Sequence, residues 1–319
     1  MSQEQDNQIL AELVRDYLRS QNKSRKWGLL FRLVKYTVVI TLLLVVFADG
    51  EGQRGMDKPH GDHVALIDIE GPIASNELAS ADNIIGSLRA AMETKHSLAV
   101  ILRINSPGGS PVQAGYVYEE IKRLRGLYPE KKIYAVITDM GASAAYYIAA
   151  AADEIYADQA SIVGSIGVTM GSFSPASFGF TEAMKKLGIE RRLITSGESK
   201  SLLDPFSPQK EADTSHFKQL LSEIHQQFIE RVMSGRGNRL QPSKEMFTGL
   251  FWTGNQAQVL GLIDGLGSSA YVARDIIGND NLFDYTQRPG VFERFSEQFG
   301  AGVAQALIRA GAGDAVELR

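Results

Sequence analysis

From His63 onward, short unbroken apolar runs alternate with stretches in which apolar residues recur every three or four positions. The runs HVALIDI (63–69), LAVILRI (98–104), IYAVI (133–137) and EIYA (154–157) have the character of strands buried inside a parallel sheet. Between them, 81–95 carries Ile84, Ile85, Leu88 and Met92 at helical spacing, and 112–127 reads as a second helix. Ile189 to Thr195 reads as a further strand. A long amphipathic helix is predicted from about Pro208 to Gly235, with Phe217, Leu220, Leu221, Ile224 and Phe228 as a face for core or subunit contact. Residues 256–262 and 270–277 read as short helices, and 291–309 has weak helical periodicity. This alternation predicts an α/β layered fold.

The pattern before His63 is different. Residues 1–26 are polar, and between Arg15 and Lys35 seven basic residues face one acid, Asp16. Then YTVVITLLLVVFA (36–48) is free of charge. With 27–34 it reaches the roughly 20 residues that span a bilayer. The spacing predicts one N-terminal transmembrane helix over 27–48, its basic side cytoplasmic and the remainder exported across the cell inner membrane. A cleaved signal peptide fits less well, because the polar segment before the run is too long for an n-region. A buried core helix is the other reading. Residues 49–61 are Gly-rich and polar, a linker. The predicted plan is a cytoplasmic segment (1–26), an anchor (27–48), the linker (49–61), one domain (62–278) and a C-terminal extension (279–319).

Composition adds exclusions. The 319 residues are 44% hydrophobic and 22% charged with net charge −4, so no overall basic footprint invites nucleic acid. Cysteine is absent, which excludes disulfides, thiolate catalysis and Cys-ligated metals. No cofactor and no metal is expected.

Two loops carry candidate chemistry. In IYAVITDMGASAAYYIAAAA (133–152) a strand leads through a predicted turn, 138–141, into an alanine-rich helix, with Ser143 where turn becomes helix. A serine there lies close to free N–H groups of the first helical turn, which suit a nucleophile whose oxyanion needs donors. A helix N-cap is the other reading, and this stretch alone does not separate them. In Asn105 to Ser110 (NSPGGS) a proline and two glycines can point a backbone N–H into a cleft at a sheet end. It also reads as a plain strand-to-helix turn; the Lys and Ser/Thr of a phosphate loop are missing.

A serine nucleophile needs a base. His60 and His63 border the linker, His96 precedes a strand at the wrong end, and His216 and His225 lie on the long helix, where only chance would place them at the site. Lysine is the alternative, in Ser-Lys variants of triad logic, and must be neutral to accept a proton. Lys200 sits in a loop of small polar residues, SGESKS (196–201), and Ser165 lies between glycine-containing turns in VGSIGV (163–168). Glu198 would share a face with Lys200 in an extended segment and oppose a base role there.

In order, INSPGG (104–109), MGASAAYYIA (140–149), GSIGV (164–168), SKSLLDPF (199–206) and FWTGNQAQVLGLIDGLG (251–267) make the chain resemble the S49 peptidases, in their short, membrane-anchored, signal-peptide-peptidase form. The resemblance covers about 64–266. It implies Ser143 as nucleophile, Lys200 as general base, Ser165 as hydrogen-bond partner of the lysine amine, and the N–H groups of Gly109 and Ala144 as an oxyanion hole. It implies a ClpP/crotonase-like fold, a homo-oligomeric ring or dome whose sites take serine and lysine from neighbouring subunits, and remnant signal peptides in the membrane as substrates. Two other functions stay open: trimming of a membrane partner protein, and a non-proteolytic crotonase-like acyl-CoA enzyme, which the anchor and the paired Ser143 and Lys200 disfavour.

Overall fold

The computed structural model describes residues 31–41, 61–169, 179–202 and 204–288. Residues 31–41 form an exposed helix, α1, in a unit separate from the one that holds 61–288. Among the described residues no helix is long and apolar enough to cross a membrane. The rest of the predicted anchor at 27–48, most of the linker, and the predicted helix at 291–309 lie outside the described residues.

The domain begins with β1 (His63–Glu70), buried from His63 to Ile67 as an unbroken apolar run requires in the middle of a sheet. It continues through α2 (Ala81–Glu93), β2 (Ser97–Ser106), α3 (Pro111–Leu127), β3 (Ile133–Ala142), α4 (Ala144–Ala149), β4 (Glu154–Ala157) and β5 (Ile162–Gly164). Then come α5 (Thr181–Lys186), α6 (Glu211–Arg236), β6 (Phe251–Thr253), α7 (Gly254–Val259), β7 (Gly265–Leu266), α8 (Ser269–Tyr271) running on as π-helical Val272–Ile277, and β8 (Leu282–Asp284). The sheet order is β6-β5-β3-β2-β1-β8, with β4 paired to β3 and β7. Every pairing is parallel except β5 with β6. This is the α/β layered fold the alternation predicts.

Strand period two divides the core. Ala65, Ile67 and Ile69 face a large cluster with Ile84, Leu88, Tyr118 and Phe228 from the helices. Val64, Leu66, Tyr134 and Val136 face a smaller one closed by Val272 and Ala273. Serine caps start three of the helices among the described residues: the Asn83 N–H donates to Ser80 Oγ, the Gln113 N–H to Ser110 Oγ with Pro111 at the first helical position, and the Tyr271 N–H to Ser268 Oγ. The extension contributes to the sheet, because β8 pairs with β1 and the Tyr285 N–H donates to Leu66 O at 2.8 Å.

Three expectations change. Residues 138–141 do not turn; β3 runs on to Ala142. The strand pairs β4 through 134–137 and then β5 through 140–142, and Ser161 Oγ bonds the carbonyls of Ile137 and Thr138 where it changes partner. Residues 189–195 are not a strand. The run has strand composition but pairs with nothing among the described residues, and Ile194 is 97% exposed. Propensity of this kind is realised only against a neighbour; here Arg191 is tied instead to Asp204 and lies over the Phe206 ring. Finally, the apolar face of α6 closes into the core only at its C-terminal half, where Phe228 and Val232 are buried, while Leu220 is exposed.

That half of α6 is held by charge. Arg236, 1% exposed, donates from Nη1 and Nη2 to the two Asp264 oxygens at 2.7 and 3.0 Å, and from Nε to Gly261 O at 2.9 Å. The Ile155 N–H donates to the same carboxylate at 2.7 Å, joining α6 to β4. Burial alone pushes the Asp264 carboxyl up, but the Arg236 fork and the Ile155 N–H prevail and hold it below its usual range. Asp264→Ala leaves Arg236 buried without a counter-charge and should cost about 3–5 kcal/mol, read as a lower urea midpoint near neutral pH. A depressed carboxyl contributes stability that is complete above its unfolded value and lost as pH falls through its folded value. The gap between wild type and variant should therefore close in acid.

Candidate active site

Among the described residues, only two that are not glycine have positive φ: Ser143 at 53° and Ser165 at 49°. These are the two serines the sequence singles out. Strain of this kind persists only where surrounding structure imposes it, and it gathers at functional sites.

The β3–β5 register imposes it. The pairs Met140 with Ile162, Gly141 with Val163, and Ala142 with Gly164 make Ser143 and Ser165 next in line. The Ser143 N–H donates to Gly164 O at 2.8 Å, and the chain turns at once into α4, whose Tyr147 N–H returns to Ser143 O at 2.9 Å. Ser143 occupies the N-cap position with ψ −123° and no side-chain cap bond. Its hydroxyl is therefore not spent as a cap.

The helix behind the elbow is tightly packed. All six α4 residues are buried, and Gly235 of α6 comes so near that a Cβ on it would lie 1.9 Å from Ala150 O. Tyr146 points inward and donates to Leu262 O at 2.7 Å, its hydroxyl pKa raised by burial. Tyr147 packs on Phe228 with ring centroids 5.0 Å apart.

The NSPGGS loop closes on this elbow. The Ile73 N–H donates to Gly108 O at 2.9 Å and the Ser110 N–H to Ile73 O at 2.8 Å. That bridge uses the groups on either side of Gly109 and turns the Gly109 N–H away from Ile73. A Cβ on Gly108, φ 103°, would lie 2.7 Å from Ser143 Cβ and 3.0 Å from Ala144 N. One on Gly109 would lie 2.2 Å from Ile73 O. Both glycines are required by close approach, and Gly108 is the contact that sequence reasoning did not single out; the doubled glycine is its only signal. Ala144 N–H, in the first helical turn, has no intrahelical acceptor.

Ser143, Ala144, Ser165, Gly108 and Gly109 line one cleft of about 980 Å³, with Tyr147, Ile224 and Phe228 as its apolar wall. Among the described residues the lining includes no lysine, histidine or carboxylate. Lys200 is not brought there within this chain. It lies exposed in a turn closed by the Lys200 N–H on Gly197 O at 3.2 Å, so the extended geometry that would align it with Glu198 does not occur. Two bonds tie that turn to the start of α6: Ser199 Oγ to Asp213 Oδ1 and Lys210 Nζ to Glu198 O, each 2.6 Å.

The histidines are engaged elsewhere. His63 is buried against Tyr285, and His96 pairs with Asp62. His216 is exposed. His225 comes nearest to the serines, with Nε2 at 3.0 Å from Ile166 O. His60 lies outside the described residues. The elbow, two unspent N–H groups and an apolar cleft can hold an acyl group and stabilise its oxyanion, and the proton acceptor must come from beyond the lining.

Residues 127–279 match the family model described as Peptidase family S49. A Brucella melitensis protein named Na(+)/H(+) antiporter NhaA is 47% identical over 194 residues, 61% of this chain and 26% of that one, so the chain spans about a quarter of that relative's length. "Putative protease slr0021" of Synechocystis sp. is 31% identical over 64% of this chain and 70% of its own. "Serine protease SPPA, chloroplastic" of Arabidopsis thaliana is 31% identical over 62% of this chain and 28% of its own.

Gly108→Ala tests the contact on the elbow. It should slow acylation of Ser143 by a serine-reactive probe by about 10²-fold or more with circular dichroism unchanged. An unchanged rate would show that the loop does not press on Ser143.

Proposed function

This chain belongs to peptidase family S49, its domain is that of a serine peptidase, and from that premise we propose a membrane-anchored endopeptidase with a Ser143–Lys200 dyad completed between two copies of the chain. The observation that carries this reading is the cleft itself: among the described residues it is lined by two strained serines and two donors but no base, while the loop bearing Lys200 stands exposed outside it. The fold is read as ClpP/crotonase-like, with residues 27–48 as the anchor and the domain on the outer face of the inner membrane. The apolar run and its basic flank support that placement. The substrates are remnant signal peptides, which an apolar cleft beside a bilayer suits.

In this mechanism the neutral amine of a neighbouring Lys200 takes the proton from Ser143 Oγ as the oxygen attacks a peptide carbonyl carbon. Gly109 and Ala144 N–H groups hold the oxyanion, worth about 3–4 kcal/mol per donor. Ser165 holds the amine in line. The ammonium then protonates the leaving nitrogen, and water releases the acyl group by the same steps reversed.

One relative gives a second reading some weight: a segment of a chain named as an antiporter is the 47% match, which favours trimming of a membrane partner protein. Digests by the full chain of signal-peptide fragments beside a membrane protein separate the two.

Ser143→Ala and Lys200→Ala should each abolish cleavage. When the two variants are mixed, unfolded and refolded together, activity should return, because about a quarter of the contacts in a random ring pair an intact serine with an intact lysine. No recovery, with assembly confirmed by sedimentation, would exclude a dyad shared between copies.

A further inference from the structure

The turn that carries Ser165 is held from one side only by backbone. Its own N–H donates to Leu250 O at 2.9 Å, and the Gly167 N–H folds back on Ser165 O at 2.9 Å. The next carbonyl, of fully buried Ile166, faces α6 and meets His225 Nε2 at 3.0 Å. A carbonyl only accepts, so Nε2 carries the proton and donates. This is the one side-chain hydrogen bond given to residues 164–167 among the described residues. The same helix supplies Ile224 and Phe228 to the cleft wall on either side of His225.

We propose that His225 is a positioning residue for the reaction: its Nε2–H holds the Ile166 carbonyl and thereby keeps Ser165 in its positive-φ conformation beside Ser143. The chain of contacts is short. Ile166 follows Ser165, Gly164 precedes it, and Gly164 O is the acceptor that fixes the Ser143 N–H. Releasing the Ile166 carbonyl lets the turn relax toward negative φ, which an L residue prefers. Ser165 then no longer faces the proton acceptor. His225 does not serve as the base, because its Nε2–H is committed to that carbonyl and the residue does not line the cleft.

The inference rests on the serine-peptidase reading for its kinetic arm but has a second arm that does not. In the full chain, His225→Ala removes the donor and His225→Gln replaces it with an amide N–H of similar reach. Hydrogen–deuterium exchange over 163–168 reads the turn directly, whether or not peptide is cleaved. His225→Ala should exchange faster there, and lower kcat about tenfold with little change in KM. His225→Gln should restore protection and most of kcat. A merely structural role predicts exchange raised throughout α6 and not confined to the turn, with no rescue by glutamine. Unchanged exchange over 163–168 in His225→Ala, or glutamine as defective as alanine, would overturn the proposal. Protection lost and regained as expected in a chain that cleaves no peptide would instead count against the peptidase reading alone.

Discussion

A single hydrogen bond, from the Ser143 N–H to Gly164 O, holds the backbone in a conformation that costs an L residue about 1–3 kcal/mol. It forms because β3 leaves β4 and takes β5 as its neighbour just before the chain reverses. The bond extends a parallel ladder by one step, and that step sets two strained serines side by side. Neither serine would hold its conformation on an isolated turn.

Resistance to relaxation comes from behind the elbow. The short helix α4 is buried along its whole length, and the main chain just after it, at Ala150, meets α6 at Gly235. The paired charges of Arg236 and Asp264 then lock α6 against β4 and the β7 edge. A side chain at Gly235 would push α6 away, and with it the apolar wall of the cleft. The tight approach of Gly108 to Ser143 works from the front in the same sense. Ser143 is clamped between a loop that tolerates no Cβ at Gly108 and a helix packed closely from behind.

Much of this was legible in the sequence because the signals were local. Unbroken apolar runs marked β1, β2 and β4 to within a residue or two, and the spacing of Ile84, Leu88 and Met92 marked α2. Ser143 stood out at the strand-to-helix junction two residues after Gly141, and Ser165 directly after Gly164. The misreadings were matters of pairing. Residues 138–141 have turn composition, yet β5 arrives from outside to keep them in the strand. Residues 189–195 have strand composition, yet no neighbour receives them. His225 looked arbitrary on a helix because only the crossing of α6 over the Ser165 turn gives its ring an acceptor.

The most direct measurement is to treat the full chain with a serine-reactive acylating probe and map the adduct by peptide mass spectrometry. The account predicts a single stoichiometric adduct on Ser143, with Ser165 and the other serines unmodified. A folded protein that forms no adduct at Ser143, or one labelled at Ser165 in its place, would contradict it.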